Sequence, residues 1–179
     1  KLEKFADYWN TPANVDTVTF KVVPEGATRV ADLQSGYTHI AGTIEPAQVA
    51  NVNSSDGVAV METPSSSLTY VGFNTKKAPF DDAKVRQAIS MAIDRAKLIE
   101  GIYNGYGIPA ISPLSPGIFG YTEDITALSY DLEKAKALLA EAGYADGFTT
   151  QIWTNDNPAR QQVAVVLQEA LKQLNITVS

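Results

Sequence analysis

Hydrophobic and polar residues change their rhythm several times along the chain, and each rhythm names an element. Val15–Val23 alternates, with Val18, Phe20 and Val22 on one side of a strand and Thr17, Thr19 and Lys21 on the other, until Pro24-Glu25-Gly26 breaks it. Ala27, Val30, Ala31 and Leu33 then recur at helical spacing, and Ser35-Gly36 supplies a helix ending. Thr38–Ala41 reads as a brief strand, Ala47–Val52 as a short helix after the Ile44-Glu45-Pro46 turn, and Asn53–Gly57 as a loop. Val58–Glu62 and Ser67–Asn74 read as two more strands on either side of Pro64-Ser65-Ser66.

After Asn74 the pattern becomes mainly helical. Asp81-Asp82 suits a helix N-terminus, and Val85, Ala88, Ile89, Ala92 and Ile93 form an i, i+3, i+4 stripe behind it. Leu98, Ile99 and Ile102 continue on a second helix before Gly105. Tyr106–Tyr121, with its prolines and glycines, reads as a long ordered loop. Asp131 caps a helix that faces inward through Ala135, Leu138, Leu139 and Ala142 and closes at Gly143. Phe148–Trp153 is a strand. Asn157-Pro158 opens a long helix with Val163, Val166, Leu167, Ala170, Leu171 and Leu174 along one face. Asn175 suits the left-handed turn that ends it, and Ile176–Val178 begins a strand. A strand–helix–strand order calls for a neighbouring parallel strand and a covering layer, so the sheet is expected to be completed by residues beyond Ser179. The fold class is α/β.

Composition narrows the function. At 179 residues, 45% hydrophobic and 19% charged, the chain is long enough for one sizeable domain or parts of two. Fourteen basic residues are scattered among 20 acidic ones, for a net charge of -6, which leaves no basic surface for nucleic acid. The absence of cysteine excludes disulfides, thiolate metal sites and a cysteine nucleophile. No run approaches the roughly 18 apolar residues that cross a bilayer. The chain begins at Lys1 without a signal-peptide pattern, so an exported parent is expected to have its leader outside these residues.

Chemistry-bearing constellations are scarce. His39 is the one histidine and reads as structural. No G-x-S-x-G elbow, Walker loop or G-x-G-x-x-G occurs, and Gly101–Gly107 lacks the P-loop lysine. Asp81 and Asp82 are adjacent at a helix start and point different ways, so capping accounts for them better than acid–base work does. Glu123-Asp124 reads as solvated surface, and no spacing suggests metal ligands, a cofactor or a catalytic group. Tyr70 and Trp153 lie toward the C-terminal parts of expected strands, where open α/β sheets place ligand crevices. Taken singly, each reads more readily as a core residue. Trp9 and Tyr8, beside Asn10-Thr11-Pro12, read as a surface-anchoring pack.

Several stretches, in order, resemble the family 5 extracellular solute-binding proteins, the oligopeptide, dipeptide and nickel binders of ABC importers. They are Asp7-Tyr8-Trp9-Asn10, Val15–Val23, Ala27–Gly36, Tyr70–Asn74, Ala78–Arg95, Asn104-Gly105-Tyr106-Gly107, Tyr130–Gly147 and Gln161–Val178, of which APFDDAKVRQAISMAIDR is the most specific. The resemblance implies a type II periplasmic-binding-protein fold, two α/β lobes joined by crossing strands with ligand between them. Residues 1–67 would be part of the first lobe, and residues 68–179 the crossing strand and the first half of the second. The rest of both lobes would lie outside this chain, an internal piece of a longer protein.

The resemblance further implies ligand contacts from Gly42, Thr43 and Ile44, from Tyr70, Val71 and Gly72 on the crossing strand, and from Trp153, Thr154 and Asn155. His39 stands where relatives carry an acidic residue, and Gly42 where they can present an aromatic one. The implied protein is not an enzyme. It binds a peptide or other small solute outside the cytoplasm, meets ABC permease subunits, and touches the membrane only through a lipid anchor, as a periplasmic or cell-surface lipoprotein. A nickel chelate, an opine or an oligosaccharide is the alternative cargo; a two-lobed hydrolase and a signalling-peptide receptor are the alternatives of another class. Turnover assays would reveal the hydrolase, and growth on peptides as sole nitrogen source would separate uptake from signalling.

Overall fold

A computed structural model describes residues 1–179, which form two compact units, Lys1–Met61 and Glu62–Ser179. In the first unit, β1 (Leu2–Glu3) pairs antiparallel with β2 (Thr17–Val18) in the register Leu2 to Val18. Helix α1 (Gly26–Gln34), a 3-10 turn (Pro46–Gln48) and α2 (Val49–Asn53) follow. Val30, Val49 and Val52 are its buried side chains.

The second unit carries α3 (Ala83–Met91), α4 (Arg95–Tyr103), α5 (Leu132–Glu141), β3 (Thr149–Thr150), α6 (Pro158–Lys172) and β4 (Thr177–Val178). Strands β3 and β4 are parallel, and α6 is the crossover between them. Their bonding extends past the two-residue cores: Thr177 N donates to Phe148 O (2.9 Å), Ser179 N to Thr150 O (3.1 Å) and Ile152 N to Ser179 O (3.0 Å). Leu174, Ile176 and Val178 are buried alternately, as one face of a strand demands.

The core of this unit joins the α3 stripe (Val85, Ala88, Ile89, Ala92), Ala135 and Leu139 of α5, Leu171 of α6, and Ile176. These are positions that the helical spacing marks as inward; Met91 is buried as well. Asp131 N donates to Met91 O (2.9 Å), tying the start of α5 to the end of α3. Each helix is capped by a side chain at its N-terminus: Asp82 on Lys84 N (2.7 Å), Asp94 on Lys97 N (3.1 Å), Asp131 on Lys134 N (2.9 Å) and Asn157 on Arg160 N (3.1 Å).

Four expected strands differ from what is seen. Val15–Val23 is a strand only at Thr17–Val18, and Phe20 and Val22 lie exposed. Thr38–Ala41, Val58–Glu62 and Ser67–Asn74 carry no ladder. Alternation specifies which face of a strand is apolar; a ladder also needs a neighbour, and residues 1–179 offer these segments none. Helix α1 is thinner in its contacts than its spacing suggests, since Val30 is buried but Ala27 and Ala31 are exposed.

Candidate functional site

The nine residues singled out from the sequence divide between the two units. Gly42, Thr43 and Ile44 belong to Lys1–Met61; Tyr70, Val71, Gly72, Trp153, Thr154 and Asn155 belong to Glu62–Ser179. All but the half-buried Ile44 are exposed.

Gly42–Ile44 lies between α1 and the 3-10 turn. A side chain at Gly42 would meet nothing within 4 Å, so the backbone there is open to solvent. Thr43 holds φ at 58°, a left-handed conformation that a β-branched residue adopts only under constraint. The constraint is visible. Arg29 Nη2 donates to Thr43 O (3.0 Å), while its Nη1 donates to Val23 O (2.9 Å) and Pro24 O (2.7 Å). Glu45 Oε1 stands 3.7 Å from the same guanidinium.

In the second unit, Tyr70 (78% exposed) and Trp153 (88% exposed) are solvent-facing, which overturns the core role that the sequence favoured for each taken singly. Each lies within five residues, along the chain, of a run of packed rings. Phe73 meets Phe80 at 5.5 Å between centroids, Phe80 meets Phe148 edge-on at 5.9 Å, and Tyr144 meets Phe148 edge-on at 5.5 Å. Phe73 follows Gly72, and Phe148 directly precedes β3, five residues before Trp153. The packed aromatics therefore fix the backbones from which Tyr70 and Trp153 emerge, while those two side chains stay unpacked. Asn155 Oδ1 accepts from Asn157 N (3.4 Å), bending the chain from the strand into the cap of α6.

Reactive groups do not gather at these positions. No three His, Cys, Asp or Glu side chains are placed to hold a metal ion. His39 is exposed. An open depression lined by Ala78, Asp81, Asp82, Ala142 and Tyr144 includes none of the nine residues, and the Asp82 carboxylate in it is engaged as the α3 cap. The hydrogen bond from Lys84 to Glu141 and that residue's charge raise the Lys84 pKa above its ordinary value. This lysine lies on the surface and serves α3–α5 contact. No helix is long and apolar enough to cross a membrane.

The exposed aromatics of the second unit and, separately, the open backbone of the first offer surfaces for binding a solute. The profile of the bacterial extracellular solute-binding proteins, family 5, middle region, matches residues 1–179. The chain belongs to that family. The Heme-binding protein A of Haemophilus influenzae is 40% identical over 161 residues, 86% of this chain and 29% of that protein. The Dipeptide-binding protein of Escherichia coli is 34% identical over 173 residues, 94% of this chain and 32% of that protein. Among solved structures, the periplasmic binding protein DppA of Helicobacter pylori, in complex with the peptide STSA, aligns at a TM-score of 0.87 with 32% identity, over 99% of this chain and 35% of that one. The chain thus spans about a third of the length of these relatives.

The α/β fold is that of the family 5 periplasmic binding proteins, as the resemblance implied. These relatives are named for what they bind, which agrees with the expectation of a binding protein and not an enzyme. Arg29 escaped the sequence reading. Its signal was a single cation in α1, three positions after the glycine that opens that helix.

Proposed function

We propose that the chain is part of the substrate-binding component of an ABC importer and that its cargo is a peptide. The family 5 likeness to a peptide-bound relative, at a TM-score of 0.87 over 99% of the chain, carries this reading. In it the parent is longer than 179 residues and works outside the cytoplasm, free or lipid-anchored. It delivers cargo to permease subunits. Residues 1–67 contribute to one lobe, Ser67–Asn74 crosses, and the remainder begins the other. Further residues of the parent give the ladderless segments their neighbours.

Gly42, Thr43 and Ile44 would offer main-chain groups to the peptide backbone, as a strand edge does. Tyr70, Val71 and Gly72, with Trp153, Thr154 and Asn155, would line pockets for its side chains, with waters filling the mismatch. Closure of the lobes then follows from whatever extra affinity the ligand has for the closed form.

A second reading, heme as cargo, is favoured by the 40% identity to the Haemophilus influenzae protein. Native mass spectrometry of the full-length protein, purified without refolding, tests both. A co-purified mass matching a short peptide, reproduced by calorimetric titration with that peptide, supports the first. A Soret band on heme titration with no peptide heat would replace it with the second.

A further inference from the structure

We infer that Arg29 is a positioning residue for ligand binding: it fixes the Thr43–Ile44 peptide plane so that the Ile44 N–H faces the ligand. The inference rests on the reading of Gly42–Ile44 as a ligand-contacting segment.

Arg29 leaves α1 with 19% of its side chain exposed and spends its donors on backbone oxygens of two separate segments. Val23 O and Pro24 O belong to the chain entering α1, and Thr43 O to the chain leaving toward the 3-10 turn. A planar guanidinium holds such a set in one geometry, whereas an ammonium acts as a single point charge. Gly26 makes room for the fourth partner: a Cβ there would stand 2.6 Å from Glu45 Cδ and 2.9 Å from Glu45 Oε2. Arg29 and Glu45 therefore bracket Thr43 from the C=O side.

The consequence for the ligand follows from peptide geometry. The Thr43–Ile44 bond is trans, so the Ile44 N–H points opposite to the Thr43 carbonyl. With that carbonyl turned onto Arg29, the N–H is turned away from it, and no acceptor in the chain receives it. Neither Gly42 N nor Thr43 N has a partner. A run of unpartnered donors beside a glycine that leaves the backbone open is suited to the carbonyl or carboxylate oxygens of a peptide. Thr43 holds its left-handed φ at the point where Arg29 fastens its carbonyl.

The test compares full-length wild type with Arg29→Lys and Arg29→Gln by two readouts. Backbone 15N order parameters without ligand are expected to drop from the rigid range near about 0.85 to below about 0.6 at Gly42–Glu45 in both variants, with Val49 and Val52 unchanged, because only the local hold is lost. Affinity for a tetrapeptide, by calorimetry, is expected to fall about tenfold in both, lysine giving no rescue. Unchanged order parameters at Gly42–Glu45 overturn the inference, and so does a drop spread evenly over α1 and α2, the signature of a merely structural arginine. Wild type that binds no tetrapeptide overturns the proposed function, and the order-parameter comparison then decides the positioning role alone.

Discussion

Gly147 and Asn175 meet backbone against backbone, each in the left-handed region, with φ at 74° and 59°. A Cβ at residue 147 would stand 2.8 Å from Asn175 Cβ and closer still to the Asn175 carbonyl. The two residues end the turns that launch β3 and β4, so their contact sets where the parallel pair begins; Thr177 N reaches Phe148 O directly beyond it.

That contact separates two glycines with the same dihedral need. Gly143, with φ at 85°, has nothing within 4 Å of a Cβ position. Gly143→Ala is expected to cost about 1 kcal/mol, the left-handed penalty alone. Gly147→Ala adds a collision with backbone that cannot swing aside, and is expected to cost about 2–4 kcal/mol. Urea unfolding followed by circular dichroism measures both; equal midpoints for the two variants would refute the role given to the contact.

Lys84 offers a pH test of the α3–α5 surface. The Glu141 hydrogen bond (2.9 Å) and charge raise its pKa above the ordinary 10.5. A lysine held more basic in the fold contributes stability that is fully present below about 10.5 and is lost as pH climbs through the raised value. Both side chains are about half exposed, so the contribution is small. The difference in urea midpoint between wild type and Lys84→Met is expected to be constant from pH 7 to 9 and to shrink toward zero above about 10.5. A difference that grows with pH in that upper range would reverse the assignment.

Helices were legible because their signals are local. Asp82, Asp131 and Asn157 cap as their positions indicate, and Asn175 takes its left-handed turn. The stripe Val85, Ala88, Ile89, Ala92 is buried because helical spacing itself brings those residues to one face. Asp94 caps α4 without having been noticed, since it follows the preceding stripe with no break in hydrophobic spacing. Strands were less legible. Phe20 and Val22 alternate as a half-buried strand should, yet stand exposed, because burial of a strand depends on neighbours distant in sequence. At the candidate site, Tyr70 and Trp153 are expected toward strand ends, yet Ser67–Asn74 forms no ladder and β3 stops at Thr150, and the exposure of both rings leaves no mark in the spacing. The Arg29 clamp was invisible because its partners are backbone carbonyls, which leave no trace in residue identity.

Trp153 gives the proposed site an optical handle. It is 88% exposed without ligand, so a peptide side chain packing on its indole would move the ring from water into an apolar setting. Peptide titration of the full-length protein is expected to shift tryptophan emission to the blue, and Trp153→Phe to abolish most of that shift. Trp153→Ala is expected to weaken peptide binding by about 1–2 kcal/mol with no change in urea midpoint, since the side chain supports no core contact. Loss of stability without loss of affinity would move Trp153 from the site to the scaffold.

Residues 1–179 alone are a sharper test of the whole reading. Association costs upwards of about 4 kcal/mol in lost translational and rotational freedom before any contact counts. In the proposed function the ligand is enclosed between two lobes, and this chain spans about a third of the relatives' lengths. The isolated segment then offers an exposed strip of backbone and a few unpacked aromatics, and no closed state whose extra contacts offset that cost. Calorimetry of the isolated chain with a mixed peptide library is expected to show no saturable heat at micromolar concentrations, while the full-length protein binds. Micromolar affinity in the isolated chain would mean that the grip is complete within these residues and that closure of a second lobe is not what holds the ligand.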